Sequence, residues 1–230
     1  MVSPAGSSLG SRFRSLRDEV ADNLRERIVE GELPAGHRLV ERDLADELEV
    51  SRITLREALQ LLTSEGLVTL LPRRGAVVTA FGADEVRHLL ELRLALESLA
   101  ARLAATRHTD DETRALRETV SRARAAMEAK DPRAASTANL DFHEVVAQAS
   151  GNPLLRAHIG SLHSQLRRLF RMTQQLQGDH VEDHDRILEA ILAGDAERAE
   201  QLSLDHLRAA MDQTLQQLAE ETGGAPSAAR

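Results

Sequence analysis

The chain has 230 residues, no cysteine and a formal net charge of −8. Its length is enough for two ordinary domains, each able to bury its own core. The lack of cysteine excludes disulfides, thiolate metal sites and cysteine nucleophiles. The acidic charge speaks against a generic polyanion binder, so any contact with nucleic acid must depend on locally placed arginines.

The sequence has no candidate segment for membrane insertion or secretion. It contains no run of about 18 apolar residues and no charged stretch followed by an apolar leader. We therefore expect a cytoplasmic protein. Residues 1–13 are small, polar and aperiodic, and they and residues 223–230 are predicted to be disordered. Between these ends we expect two domains, at residues 14–81 and 82–222.

The first predicted helix runs over Leu16–Glu30. Its apolar residues recur at helical spacing, and Gly31 ends it. A turn at residues 34–36 then leads into a short extended piece around residues 38–40. These elements supply the first helix and a minor strand of the first domain.

Residues 41–65 have the pattern of two short helices separated by a break at Glu49–Ser51. Each helix has one apolar face at helical spacing, formed by Leu44, Ala45 and Leu48 in the first and by Leu55, Ala58, Leu59 and Leu62 in the second. Ser51 stands at the N-cap position of the second helix, where its hydroxyl can accept from the free amides of the first turn. This pattern predicts a helix-turn-helix.

Two arginines lie at the beginning of the second helix of this pair. Arg52 and Arg56 are one turn apart on the side away from the leucines, and Thr54 lies beside them in the first turn. In a helix-turn-helix these opening residues meet base edges in the major groove. Arginine can donate two hydrogen bonds to guanine or clamp a phosphate. The alternative is that both arginines are solvated charges on an ordinary amphipathic helix.

A predicted hairpin follows the helix pair. Two runs rich in Val, Leu and Thr, at residues 67–71 and 76–80, are separated by the tip Pro72–Gly75, which contains Arg73 and Arg74. The tip has the charge and the backbone freedom to approach phosphates or a minor groove. A helix-turn-helix followed by such a hairpin is a winged helix.

The segment Leu16–Phe81 resembles the N-terminal winged helix of GntR-family bacterial transcription regulators. The resemblance rests on three linked pieces, I-x-x-G-x-L-x-x-G-x-x-L, S-R-x-T-x-R-E-A-L and E-G-L-V. It implies that the residues facing DNA are Arg42, Arg52, Thr54, Arg56 and Gly75, and Ser51, Arg73 and Arg74 complete the predicted DNA-binding set. One departure is Glu49, which stands where the family usually has glycine. A left-handed conformation there would cost roughly 1 kcal/mol.

The second domain is predicted to be all helix, because alanine and leucine dominate after Phe81 and proline is rare. The breaks predict a bundle of six helices, at about residues 84–107, 110–130, 132–149, 152–177, 179–193 and 195–221. The first of these helices has more leucines than one face of a small bundle needs. Part of it is expected to contact a second subunit in a symmetric dimer, although a core helix buried on two sides would have the same pattern.

Histidines are the candidate chemical groups of the second domain. His184 and His206 are equidistant from the predicted turn at Gly194–Asp195, so in an antiparallel helix hairpin they lie at the same height. His143 is on another helix, with Asn139 one turn earlier on the same face. Three imidazoles and an amide oxygen would suit zinc, nickel or a similar divalent metal and leave positions open for a ligand carboxylate.

Two alternatives to this metal site remain open from spacing alone. Lone histidines on helices are more often surface or core residues than ligands. His163 competes for the same role, because it pairs with His143 across the turn at Pro153.

Residues from about 83 to 221 resemble the ligand-binding helical domain of the FadR subfamily of the GntR family, often called FCD. The resemblance rests on the segments NLDFHEVVAQASGNPLL and EDHDRILEAILAGDAERAEQLSLDHL. In metal-binding members, an acidic or amide residue and three histidines hold a divalent metal that helps to bind a small carboxylate. The resemblance thus implies a ligand set of Asn139, His143, His184 and His206.

The resemblance also bears on metal binding at Asn139 and effector binding at Arg93. Asn139 replaces the aspartate of many members, which removes a negative charge and should weaken metal binding. Arg93 matches a commonly occurring arginine and is implied to meet the carboxylate of an effector. The alternative for Arg93 is an ion pair with Glu97 one turn later.

The sequence predicts a DNA-binding regulator rather than an enzyme. It lacks the di-iron Glu-x-x-His pattern, the HExxH motif, a phosphate-binding glycine loop and a G-x-S-x-G elbow. We predict a metabolite-responsive repressor that binds a near-palindromic operator as a homodimer and senses a small organic acid with the help of a metal. The alternatives are a metal-dependent hydrolase with a DNA-binding head, and a winged helix that contacts protein while the bundle only dimerises.

Overall fold

The computed structural model describes residues 15–71, 75–172 and 181–223. The predicted N-terminal arm, all but the first residue of the predicted tail, and the wing arginines Arg73 and Arg74 therefore lie outside the described residues. Contacts between residues divide the chain into two units, and the division falls between Ala80 and Phe81.

The first unit is a winged helix-turn-helix, as predicted. Its elements in chain order are α1 (Leu16–Val29), β1 (Arg38–Leu39), α2 (Glu41–Glu47), α3 (Arg52–Ser64), β2 (Val68–Leu71) and β3 (Gly75–Val78). The three strands form an antiparallel sheet in the order β1-β3-β2. Leu71 pairs with Gly75 at the end of the wing, and Leu39 pairs with Ala76 on the other side of β3.

The core of this unit holds α3 in a fixed orientation. The buried faces of α1 and α3 pack together through Leu24, Ile28, Leu55 and Leu59, each no more than 1% exposed. Arg25 adds a polar connection, because its Nε and one terminal nitrogen donate to the two carboxylate oxygens of Glu65 at 2.8 and 2.7 Å. Such a two-point contact is more directional than a single ion pair.

The turn between α2 and α3 contains a non-glycine residue, Glu49, in the left-handed region. Glu49 has a φ of 53°, which confirms the left-handed conformation expected from the sequence. The amide of Val50 donates to the carbonyl of Ala45 at 3.0 Å and closes the end of α2. Ser51 then caps α3 by accepting from the amide of Thr54 at 3.0 Å.

The second unit contains six helices among the residues that the structure describes, as predicted. They are α4 (Ala83–Arg107), α5 (Asp110–Glu128), α6 (Pro132–Ala149), α7 (Pro153–Met172), α8 (Val181–Leu192) and α9 (Ala196–Gly223). The predicted end of the fourth bundle helix and the predicted start of the fifth fall in residues 173–180, which lie outside the described residues. Within the described ranges, no helix is both long enough and apolar enough to cross a membrane.

Helix boundaries in the second unit follow local capping chemistry. Thr109 and Glu112 form a reciprocal capping box at the start of α5. Asp131 caps α6 by accepting from the amide of Ala134 at 3.0 Å, and Pro132 occupies the first helical position. Asp131 and Pro132 thus set the start of α6, the helix that carries the first predicted metal ligands.

Most of the core of the second unit is aliphatic, with an unusual set of buried polar side chains. Helix α4 packs mainly against α9, and it also contacts α6, α7 and α8. Among the polar residues that are at most 5% exposed are Arg93, Glu97, Asn139, His143, His163, Arg168, His184 and His206. Burying charged groups is costly unless they are paired or coordinate a ligand, so this set indicates a functional interior.

Candidate functional site

The surface of α3 presents the predicted DNA-contacting residues on the side away from the core. Arg52 and Arg56 are exposed, whereas Leu55 and Leu59 on the opposite side are at most 1% exposed. Thr54 is half-buried, and its hydroxyl is 2.8 Å from that of Ser51. The capped first turn therefore holds the backbone of the exposed arginines in place.

Arg56 has a partner that the sequence analysis did not foresee. Its Nε donates to a carboxylate oxygen of Glu41, at the start of α2, at 2.7 Å. The Arg56 side chain is nevertheless 59% exposed, and exposed ion pairs contribute little to stability, typically about 0–1 kcal/mol. Glu41 therefore orients the guanidinium and leaves its terminal nitrogens accessible.

The remaining predicted DNA-binding residues in the described ranges are Arg42 at the start of α2 and Gly75 at the start of β3. Arg42 is 75% exposed, and its Nε contacts only the neighbouring Asp43 at 3.2 Å. Gly75 begins β3 with a φ of +85°, a conformation that side chains other than glycine rarely adopt. Nothing is described of Arg73 and Arg74 between β2 and β3.

Three histidines from three helices converge inside the second unit. His143 on α6, His184 on α8 and His206 on α9 are each at most 3% exposed. The Nε2 atom of His206 lies 3.3 Å from the Nε2 atom of His184 and 3.3 Å from that of His143. Nitrogens bound at 2.0–2.1 Å around a tetrahedral zinc would be about 3.3–3.4 Å apart. Two of the three pairs have this spacing, and one ligand atom from each ring lies within 4.8 Å of the others. The cluster is therefore a candidate metal site.

Glu97 determines which nitrogen of His143 carries the proton. A carboxylate oxygen of Glu97 is 3.0 Å from His143 Nδ1. Burial would raise the pKa of Glu97, but Arg93 and then His163 together hold it below its usual value. Burial, followed by the charge of Arg93, lowers the pKa of His143 well below its usual value. A neutral imidazole that donates from Nδ1 to this carboxylate has a bare lone pair on Nε2, which is the form that binds metals.

The other two rings are also held from outside the cluster. The ring of His184 stacks on Phe142, with centroids 4.2 Å apart and an interplanar angle of 17°. His206 Nδ1 lies 3.6 Å from a carboxylate oxygen of Asp183. Together with the contact between His143 and Glu97, these contacts give each of the three rings a neighbour outside the cluster.

Asn139 supplies a further observation in favour of a metal. It is 5% exposed and lies one turn before His143 on α6, and its side-chain oxygen is buried without a hydrogen-bond partner among the described residues. Leaving a buried amide oxygen without a hydrogen-bond donor typically destabilises the folded state by about 1–3 kcal/mol. An amide oxygen is also an acceptable ligand for a borderline divalent metal. The residues present therefore fit the divalent metal that was predicted.

His163 is not part of the cluster. Its Nε2 is 3.0 Å from Glu97, and its Nδ1 is 3.5 Å from Glu144. Burial lowers the pKa of His163, but the bonds to Glu144 and Glu97 outweigh it and raise the pKa above the usual value. The raised pKa favours the protonated form of His163 beside Glu97. Of the two histidines, it is His143 that lies with His184 and His206.

Arg93 forms the ion pair with Glu97 that the sequence offered as its alternative role. Its Nε donates to both oxygens of Glu97 at 3.1 and 3.2 Å, which is the predicted ion pair. One of its terminal nitrogens is buried with no hydrogen-bond partner among the described residues. The guanidinium also lies over the ring of Phe170, 5.6 Å from its centroid. A charged donor thus remains unsatisfied next to the His143–Glu97 pair.

Sequence reasoning missed the shared role of Glu97. The position was considered only as a partner of Arg93, whereas the carboxylate contacts Arg93, His143 and His163 together. The available signal was an acidic residue followed by apolar residues on the buried side of a helix. That signal could not identify the partners His143 and His163, which lie 46 and 66 residues further along the chain.

Comparison with known proteins matches each of the two units to a known domain family. Residues 16–78 match the bacterial regulatory proteins of the gntR family, and residues 88–209 match the FCD domain. A protein of Escherichia coli (strain K12) named for regulation of an L-lactate dehydrogenase operon is 34% identical over 223 residues, covering 84% of each chain. The transcriptional regulator LutR of Bacillus subtilis (strain 168) is 31% identical, covering 78% of this chain and 92% of its own.

Solved structures of transcription regulators have a similar fold. A GntR transcriptional regulator from Rhodococcus sp. RHA1 aligns with a TM-score of 0.73 and 27% identity, covering 88% of this chain and 99% of its own. E. coli McbR/YncC aligns with a TM-score of 0.75 at 24% identity, covering 89% and 99%, and supports the fold alone. The relatives are transcription regulators and not enzymes, which confirms that prediction. The chain is a transcription regulator that belongs to the GntR family and carries an FCD domain.

Proposed function

We propose that this regulator is a metal-dependent sensor of a small carboxylate that represses transcription by binding a near-palindromic operator as a homodimer. The observation that carries the proposal is the unsatisfied, buried guanidinium nitrogen of Arg93 beside the three converging histidines. A carboxylate can accept from this nitrogen and thereby satisfy a charged donor that is costly to leave unpaired. A chromosomal operator makes the cytoplasm the site of action.

The proposed metal is zinc or nickel, held by His143, His184 and His206 with Asn139 as a further oxygen ligand. Imidazole ligands suit both metals, and positions not taken by protein remain open for a ligand. When bound, the metal would attract a carboxylate oxygen and neutralise its charge. Arg93 would fix the orientation of the same carboxylate by a directed hydrogen bond.

The proposed effector class is the 2-hydroxy acids. Support comes from the E. coli relative, which is named for an L-lactate dehydrogenase operon and is 34% identical over 84% of this chain. We expect L-lactate to raise the unfolding temperature of zinc-loaded protein and to change its affinity for operator DNA in a gel-shift assay. For a repressor whose genes are induced by the effector, the change is a loss of affinity.

The matched control ligand is propane-1,2-diol, which keeps the carbon skeleton and the hydroxyl of lactate and replaces the carboxylate by an alcohol. It should change neither the unfolding temperature nor the gel shift. If L-lactate and a panel of other small carboxylates behaved like the diol, the sensor function would be refuted, whatever the DNA affinity.

The proposed dimer interface lies on the outer face of α4. Leu92 and Leu99 are 49% and 40% exposed, and Ala95 between them is exposed too. These three residues form one stripe at helical spacing, on the side opposite Arg93 and Glu97. Leu89 and Leu90 are buried within the second unit, so burial on two sides of α4 leaves only Leu92 and Leu99 unexplained. An exposed apolar stripe on a long helix is typical of a subunit contact.

We expect Leu92→Glu combined with Leu99→Glu to convert the dimer into monomers at micromolar concentration. Four carboxylates would be buried across a two-fold interface without partners, at a cost of several kcal/mol in total. Light scattering coupled to size-exclusion chromatography measures the change in mass. Leu154→Glu is the control, because Leu154 is 74% exposed on α7. Leu154→Glu should remain dimeric, and a double variant that also remained dimeric would place the interface elsewhere.

A further inference from the structure

Ile53 is exposed at the position where α3 is most accessible. Its side chain is 71% exposed, although isoleucine is a residue that folding normally buries. At about 100° per residue, Ile53 points roughly 170° away from the middle of the buried face formed by Leu55, Ala58, Leu59 and Leu62. It therefore contributes nothing to the core of the first unit.

The surroundings of Ile53 are polar and set its orientation. Arg52 precedes it, and Arg56 lies one turn further on a neighbouring part of the exposed face. The Ser51 cap and the hydroxyl contact between Ser51 and Thr54 fix the first turn on both sides of Ile53. Because the side chain is β-branched, it has few rotamers in a helix, so its methyl groups are held in place at little further entropic cost.

In the major groove, an unmodified base has only one apolar group that an apolar side chain can contact. Every base edge presents hydrogen-bonding atoms there, but thymine alone adds a C5-methyl group. The first residues of the second helix are those that approach base edges. We propose that Ile53 reads a thymine in each half of the operator through contact with the thymine methyl group, between bases or phosphates contacted by Arg52 and Arg56. This inference rests on the proposed DNA-binding function.

The test replaces single thymines by deoxyuridine in an operator that the wild-type protein has selected from random-sequence duplex DNA. Deoxyuridine lacks only the methyl group and keeps every hydrogen bond of the base pair. We expect one thymine position per half-site at which the replacement weakens wild-type binding by about fourfold, and by about fifteenfold when both half-sites are changed. Affinities are measured by fluorescence anisotropy at one salt concentration.

The protein variants complete a double-mutant cycle. Ile53→Ala should bind the thymine operator about as weakly as the wild type binds the deoxyuridine operator, and the replacement should then have no further effect. Ile53→Val, which keeps the branch at Cβ, should retain most of the preference for thymine. Leu154→Ala is the control for removing an equally exposed apolar side chain, and it should keep the full preference. Ile53 is exposed, so circular dichroism should find every variant folded.

The outcomes separate this inference from the proposed function. If selection yields no operator at all, DNA binding fails and the inference fails with it. If the wild type binds a specific operator but no deoxyuridine replacement weakens binding, the role of Ile53 is overturned and the regulator function stands. The same conclusion follows if the replacement weakens Ile53→Ala as much as the wild type. That result would assign the methyl contact to another residue.

Discussion

Arg52→Ala should remove most of the sequence-specific DNA affinity of the protein. Arg52 is exposed on the first turn of α3, and a two-point contact from arginine to guanine is typically worth about 1–3 kcal/mol. A dimer loses two such contacts, so we expect operator binding to weaken by about 2–6 kcal/mol. Arg56→Ala should act in the same direction. Gel shifts at fixed salt measure the loss, and thermal unfolding should be unchanged within about 0.5 kcal/mol.

Arg87→Ala is the control for the loss of one positive charge. Arg87 lies on α4, its side chain is 52% exposed, and its partner Asp84 is 3.7 Å away. The salt dependence distinguishes the kinds of contact, because losing a phosphate contact lowers the slope of log affinity against log salt by about 1. Losing a base contact relaxes the preference at one operator position. Operator affinity that was the same in Arg52→Ala, Arg56→Ala and the control would contradict the DNA-reading role of α3.

His184→Ala should abolish tight, stoichiometric zinc binding. The variant removes one of three histidines whose ligand nitrogens lie within 4.8 Å of one another, and two imidazoles with an amide oxygen hold a metal far less well than three imidazoles do. In the wild type, zinc at 100 times its dissociation constant should stabilise the fold by about 2.7 kcal/mol. That corresponds to a rise in unfolding temperature of about 5–10 °C. The variant should lose this rise.

Two further variants test the details of the metal site. Glu97→Gln removes the carboxylate that accepts from His143 and should lower zinc affinity by about 10- to 100-fold. Asn139→Asp introduces a negative charge one turn before His143 and should raise zinc affinity. His158→Ala is the control, because His158 is exposed on α7. Competition with a zinc-binding dye measures each affinity. Equal zinc affinity in the wild type, His184→Ala and His158→Ala would exclude the three histidines as the site.

Local sequence patterns were sufficient for the elements but not for their polar connections. The spacing of Leu55, Ala58 and Leu59 predicts α3, and its Ser51 cap follows from residue type alone. The pair between Arg56 and Glu41 could not be predicted, because it depends on how α2 packs against α3 across a turn whose geometry is set by Glu49. Helical periodicity reports which side of a helix is apolar, and it carries no information on which exposed side chains meet.

The contacts of the histidine cluster could also be predicted only in part, because they join residues that are far apart in the sequence. Symmetry about the turn at Gly194 correctly placed His184 and His206 at the same height, since two antiparallel helices share one register. The choice between His143 and His163 could not be made from spacing, because both lie at a similar distance from the turn between α6 and α7. The choice depends on Glu97 from α4, which engages both rings through its two oxygens.

Helix α4 has two faces with different tasks, and this arrangement has a mechanical consequence. Arg93 and Glu97 on its buried side belong to the proposed effector site, whereas Leu92 and Leu99 on its outer side form the proposed subunit contact. Because a helix is stiff, any shift of its backbone at Arg93 when a carboxylate binds would move the leucine stripe with it. Effector occupancy would then change the angle at which two protomers meet, without any signal having to cross a flexible segment.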